Sequence, residues 1–159
     1  MDFIWSPWRY DYLASTGKKP HSCVFCVGED RSIDAERLIV FRGAHNFIIL
    51  NLFPYTSGHA MVAPYEHLET ITSAKTEQLA EMMQLAQRVI QALQTLYKPD
   101  GFNIGMNLGH AAGAGIREHF HLHVVPRWLG DANFVSVTGE TRVLPEELHI
   151  TYERMKVAL

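Results

Sequence analysis

The chain has 159 residues, of which 47% are hydrophobic and 19% charged, with a formal charge of −3. That size and composition suit one folded domain with a single core and exclude a disordered chain. With 14 basic residues against 17 acidic ones, bulk electrostatics argue against binding long nucleic acid. No apolar run approaches the roughly 20 residues of a membrane span.

The opening, MDFIWSPWRYDYL, sets Asp2, Arg9 and Asp11 among its aromatics, so it lacks the apolar stretch of a secretion signal. The expected location is the cytoplasm, where the two cysteines are thiols or metal ligands rather than a disulfide. Phe3, Trp5, Trp8, Tyr10 and Tyr12 must bury within the chain or against a partner. Residues 15–22 have loop composition. RLIVFR (37–42) and NFIILN (46–51) read as strands joined by a turn at Gly43-Ala44-His45. HAMVAP (59–64) reads as a third strand. Leu79, Met82, Met83, Ala86, Val89, Ile90, Leu93 and Tyr97 then recur at helical spacing, with Ser73 or Thr76 as the cap and KPDG (98–101) as the stop. FNIGMN (102–107) is a fourth strand, EHFHLHVVPRW (118–128) a fifth that halts at Pro126, and a closing helix starts near Pro145. Hairpin-like links around one long helix predict an α+β fold: an antiparallel five-stranded sheet with the helices on one side.

The fifth strand carries the chemistry. Its alternation sets His119, His121 and His123 on one face and Phe120, Leu122 and Val124 on the other. Three structural imidazoles on one face would need three buried partners. Alternate residues stand roughly 6.6 Å apart along a strand, so two rings can converge on one ion and three cannot. A neutral imidazole can instead attack phosphorus, with neighbouring rings orienting it and moving protons. NLGHAAGAG (107–115), joined directly to this strand, then reads as a glycine-rich phosphate cradle. Upstream, Cys23-x-x-Cys26 is open to three readings: a dithiol, half of a zinc site, or chance. No strand precedes it, which argues against the redox form, and a zinc site needs two further ligands, with histidine the plentiful choice.

His119-Phe120-His121-Leu122-His123-Val124-Val125, together with NLFPYTSGHAMVAP (51–64), resembles the histidine triad (HIT) superfamily of nucleotidyl hydrolases and transferases. WSPWRYDYL, GMNLG, HVVPRW and GDANF are most similar to its bacterial diadenosine tetraphosphate phosphorylase-like branch. The resemblance implies a single HIT domain over 1–159, with an N-terminal extension (1–35), a core (36–137) and a C-terminal helical segment (138–159). It also implies attack on the α-phosphate of an adenine nucleotide or dinucleoside polyphosphate. His121 would be the nucleophile, His123 would contact the α-phosphate and leaving group, and His59 would hydrogen-bond within the triad. Asn51 matches a ribose-binding position, Asn107 with the backbone at Ala114 and Gly115 matches a phosphate loop, and Trp128 matches an aromatic recognition position. Packing after the strand is the competing role for Trp128.

For metal, the resemblance implies a structural zinc on Cys23, Cys26, His67 and His119, with His21 and His45 as rival ligands. Magnesium could accompany a polyphosphate substrate, and a homodimer is expected. Alternatives are a nucleoside phosphoramidase, a low-turnover nucleotide-binding module, and a metalloenzyme. Gly115 departs from the family pattern, which has Gln or a hydroxyl residue there, so the choice between hydrolysis and phosphorolysis stays open.

Overall fold

Five strands build one sheet: β1 (Ile39–Arg42), β2 (Asn46–Leu50), β3 (Ala60–Pro64), β4 (Gly101–Gly105) and β5 (Leu122–Arg127). They lie in the order β1-β2-β3-β5-β4, every neighbouring pair antiparallel. The computed structural model describes residues 23–131 and 146–159. The N-terminal aromatics, His21, Pro145 and most of GDANF lie outside the described residues.

NFIIL and AMVAP are nearly continuous apolar runs, and β2 and β3 are buried along their whole length. Runs of this kind belong to strands covered on both faces. One face, with Val40, Ile48, Leu50, Ala60, Val62, Phe120, Leu122 and Val124, packs on the helices. The other, with Ile39, Phe47, Ile49, Met61 and Ala63, is covered by Phe25 and Val27. The cysteine segment therefore forms a third layer. Arg42 fastens it, donating to the Gly28 carbonyl at 2.7 Å and pairing with the Asp34 carboxylate at 2.7 Å.

Helix α1 (Thr76–Tyr97) crosses the sheet, and α2 (Leu148–Ala158) packs on α1 and β1. Neither Ser73 nor Thr76 is the cap. Ser73 closes a separate 3-10 turn, Lys75 is the N-cap, and Gln78 Oε1 accepts the Lys75 backbone N–H at 2.8 Å. The helix stops as expected at KPDG, with Lys98 in the left-handed region at φ 48 before Pro99. Its buried stripe is Gln78, Met82, Leu85, Ala86, Val89, Ala92 and Leu93, whereas Met83 is 51% exposed.

β4 ends at Gly105 rather than at Asn107, β5 is laddered only from Leu122 rather than from Glu118, and two further departures have clear physical reasons. β1 starts at Ile39 because Leu38 takes φ 62, a left-handed conformation that costs an L residue about 1–2 kcal/mol. In β5, Pro126 lies inside the strand rather than ending it. β3 pairs with β5 only at Val124–Leu122, so no β3 residue requires an N–H from Pro126.

The Glu81 carboxylate joins α1 to the β1–β2 turn, accepting backbone N–H groups of Ala44, His45 and Asn46 at 2.6–2.8 Å and the Asn46 side-chain amide at 2.8 Å. Burial opposes its charge, but the Asn46 amide and the backbone donors outweigh it and hold its carboxyl below the usual range. Glu81→Ala strands these donors and is expected to cost about 2–3 kcal/mol, read as a lower urea midpoint with unchanged slope.

Candidate active site and adjoining metal centre

The histidine segment alternates as the sequence predicts, although only its second half is laddered. Before Leu122 the chain runs beside the 64–68 segment, where Phe120 N–H donates to the Leu68 carbonyl at 2.7 Å. Phe120, Leu122 and Val124 enter the helix-side core, and the three imidazoles project to the opposite face.

Hydrogen-bond partners decide which nitrogen of each ring carries the proton. His119, fully buried, has Nε2 2.8 Å from the Pro64 carbonyl. A carbonyl only accepts, so Nε2 bears the hydrogen and the Nδ1 lone pair faces Cys23 Sγ at 3.4 Å. His121 Nδ1–H donates to the His119 carbonyl at 3.0 Å, leaving the Nε2 lone pair available on a ring that lines a cavity. At His59, Nδ1 accepts the Tyr55 backbone N–H at 3.1 Å and faces the Asn51 amide nitrogen at 3.3 Å. His59 Nε2–H therefore donates to His123 Nδ1 at 2.9 Å, and His123 presents Nε2–H as a donor. One ring thus offers a nucleophilic lone pair, and the next, 4.8 Å away between centroids, offers a proton-bearing nitrogen.

Burial sets the charge of these rings. It pushes the His121 pKa below the ordinary imidazole range, against the support of the His119 carbonyl. It pushes that of His123 from 6.5 to about 4, with the neighbouring His121 adding to the shift. Both rings are neutral at pH 7. The acid limb of kcat/KM is therefore expected below the ordinary imidazole value of 6.5, read from a pH–rate profile. The stability consequence has a definite sign. The unfolded chain protonates His123 near 6.5 and the folded chain resists until about 4, so stability is lost as pH falls through that window. Urea titrations at pH 7 and pH 5 check it.

The cavity measures about 420 Å³. Phe25, Leu38, Ile49 and Met61 give it apolar walls, with Asn51, Asn107, His121 and His123 as polar lining. The glycine-rich loop forms its rim. Gly109 and Gly113 take φ 77 and 80, where a side chain would be strained, and Gly113 N–H closes a turn onto the His110 carbonyl at 3.1 Å. Gly115 lines the cavity, whereas the Ala114 side chain is buried and contributes no lining.

Beside the triad, Cys23, Cys26, His67 and His119 place their ligand atoms within 4.8 Å of one another. Cys26 Sγ lies 3.3 Å from His67 Nδ1 and 4.0 Å from His119 Nδ1. Tetrahedral zinc, with bonds of about 2.3 Å to sulfur and about 2.0 Å to nitrogen, implies a sulfur–nitrogen edge of about 3.5 Å. The cluster fits that ion. Burial pushes the Cys23 thiol up, against its Phe25 backbone hydrogen bond, so a cation is what would favour the thiolate. The Pro64 carbonyl fixes the His119 tautomer that ligation requires. His45 is not in the cluster.

A family profile described as the HIT domain matches residues 33–128. The chain belongs to the HIT family. This HIT chain is 40% identical over 154 residues to the AP-4-A phosphorylase of Mycobacterium tuberculosis, an alignment covering 93% of this chain and 79% of that protein. Among solved structures, it is similar to a zinc-bound histidine triad family protein from Mycobacterium smegmatis at 31% identity and TM-score 0.66, covering 86% of this chain and 92% of that one. It shares a fold with the Plasmodium falciparum diadenosine triphosphate hydrolase solved in complex with Cyclomarin A, at 15% identity and TM-score 0.63, covering 96% and 94%.

Within this HIT site, the histidines named from sequence meet as two adjoining groups, His59 with the triad and His67 with the cysteines. Asn51 lines the cavity, but its Oδ1 accepts the Phe53 backbone N–H at 2.9 Å, leaving the amide nitrogen toward His59. Trp128 is not among the cavity-lining residues, and its indole N–H donates to the Tyr97 carbonyl at the end of α1 at 3.3 Å. Sequence reasoning missed Tyr55, whose backbone sets the His59 tautomer and whose ring lies 4.6 Å from it. It also missed Phe25. Tyr55 acts partly through its main chain, which no residue type signals.

Proposed function

We propose that this HIT protein cleaves dinucleoside polyphosphates, with diadenosine tetraphosphate as the leading substrate, through a covalent nucleotidyl-histidine at His121. The observation that carries the reading is the Nε2 lone pair of His121, held by the His119 carbonyl beside a His123 that the Tyr55–His59 relay leaves as a donor. The similarity to a protein named AP-4-A phosphorylase supports the substrate class.

In the first displacement, His121 Nε2 bonds to the α-phosphorus as the bond to the bridging oxygen breaks, and ATP departs. His123 Nε2–H hydrogen-bonds that oxygen as negative charge develops on it. The resulting imidazolium is stabilised by its Nδ1–H bond to the His119 carbonyl. In the second displacement, inorganic phosphate attacks phosphorus, the nitrogen–phosphorus bond breaks, ADP forms, and His121 returns to its neutral state. With water as the acceptor, AMP forms and one proton is released. Asn51 is assigned to ribose, and Asn107 with the backbone around Gly115 to phosphate oxygens. Cys23, Cys26, His67 and His119 would hold a structural zinc, and magnesium would accompany the polyphosphate. A cytoplasmic setting suits the two free thiols. No helix among the described residues is long and apolar enough to cross a membrane. A homodimer is the proposed assembly: β4 is an edge of the sheet among the described residues, and its Ile104 is 44% exposed.

Product analysis with and without inorganic phosphate tests the reading, with His121→Ala as control. ADP and ATP formed only with phosphate mean phosphorolysis. AMP and ATP formed without it mean hydrolysis. No cleavage by the wild type under either condition would overturn the proposal and turn attention to phosphoramidate substrates.

A further inference from the structure

We infer that Phe25 is a positioning residue for His121 and that the cysteine–histidine cluster holds it there, an inference that rests on reading His121 as the nucleophile. Phe25 lies between the two cysteines, in a turn closed by Cys26 N–H to the Cys23 carbonyl and Val27 N–H to the Phe25 carbonyl, both at 3.0 Å. Its ring is 1% exposed, 4.6 Å between centroids from His121 at 37° and 5.3 Å from His119 at 56°.

A single hydrogen bond at Nδ1 leaves an imidazole free to tilt and to turn about its Cβ–Cγ bond, a broad torsion in histidine. Phe25 restricts that motion together with His123, which meets the same ring edge-on at 4.8 Å. Rotation by half a turn would break the bond to the His119 carbonyl and carry Nε2 away from its present place. The slot opposes that rotation with packed atoms on two sides.

Phe25 is held in turn by its neighbours. Cys23 Sγ contacts His119 and Cys26 Sγ contacts His67, so the turn is clipped at both ends to segments distant in sequence. His119 serves twice, through its ring in the cluster and through its carbonyl on His121. The cluster therefore reaches the nucleophile by two routes, one of which is the phenyl ring.

Phe25 also lines the cavity, so a plain wall role must be separated from a positioning one. A wall contacts the ground state and the transition state alike, and its loss raises KM. A positioning role governs the reacting geometry, and its loss lowers kcat. Phe25→Leu keeps apolar bulk in the core but removes the flat face.

The test uses the full chain, comparing wild type and Phe25→Leu loaded with zinc and Cys26→Ser given the same zinc treatment, at a temperature where all three are folded. Nitrogen-15 NMR at fixed pH reads the His121 tautomer without substrate, and turnover of diadenosine tetraphosphate is measured in parallel. In the wild type a single tautomer protonated at Nδ1 is expected. Phe25→Leu is expected to keep one zinc per chain, show a mixed tautomer population, and lose about 10- to 100-fold in kcat with KM changed by less than about threefold. Cys26→Ser is expected to show the same mixture. A rise in KM alone, a single Nδ1 tautomer retained in Phe25→Leu or in Cys26→Ser, or loss of zinc from Phe25→Leu would each overturn the inference. A wild type that does not cleave the substrate defeats the functional reading instead, and the tautomer comparison still decides this one.

Discussion

Replacing His121 with alanine is expected to lower turnover of diadenosine tetraphosphate by about four orders of magnitude or more, while AMP binding stays within a few fold. His121 is the one triad ring with both an exposed task and a fixed tautomer suited to it. Its Nδ1 hydrogen is committed to the His119 carbonyl, and its Nε2 lone pair is available on a ring that lines the cavity. His119 is committed on both nitrogens, to Pro64 and to the cysteines. His123 is committed as an acceptor toward His59 and retains only a donor. No neighbouring ring can take over the attack without losing its own partners, so rescue by His123 is not expected. His123→Ala is then the milder change, since it removes a hydrogen-bond donor and leaves the nucleophile.

Chelation of the zinc proposed for the Cys23, Cys26, His67 and His119 cluster is expected to produce the largest loss of stability. The cluster ties Cys23 to His119 across 96 positions and Cys26 to His67 across 41. A clip closing a loop of about 100 residues stabilises by about 4–5 kcal/mol on chain entropy alone. For a chain of this size that corresponds to a fall in Tm of about 10–20 °C on chelation. The released residues are also poorly placed. Four ligand atoms left within 4.8 Å without a cation include a thiol whose deprotonation burial already opposes. Metal analysis should return about one zinc per chain, and Cys26→Ala should melt with the chelated protein. Stoichiometric analysis showing no metal, or a Tm unmoved by chelation, would contradict this.

Much of the site was legible because alternation is a property of extended chain rather than of ladders. His119 and His121 precede the laddered part of β5, yet Phe120 and Leu122 still bury on the helix side, as the period of two requires. The expected sheet had helices on one side only, and the continuous apolar runs of β2 and β3 turn out to be covered on both faces. What covers the second face, Phe25 and Val27, could not be read, because that contact joins segments without local periodicity. The predicted face of α1 holds except at one position: Met82, Ala86, Val89 and Leu93 are buried and Leu79, Ile90 and Tyr97 pack against the core, whereas Met83 is exposed. Apolar residues occur around more than half of that helix, and only packing chooses Leu85 over Met83. The four residues of the cysteine–histidine cluster span positions 23 to 119, a spacing that carries no geometry by itself, so their grouping came from family resemblance alone. The proton arrangement was out of reach from sequence. It rests on the carbonyls of Pro64 and His119 and the N–H of Tyr55, main-chain groups that every such residue possesses.

The most direct test of the central claim is intact-mass and peptide mapping of the full chain, quenched during the first turnover of diadenosine tetraphosphate. The account predicts one adenylyl group per chain, attached to His121, absent from His121→Ala and discharged as ADP or AMP by the acceptor. An adenylyl group on another residue, or turnover that His121→Ala leaves intact, would contradict it.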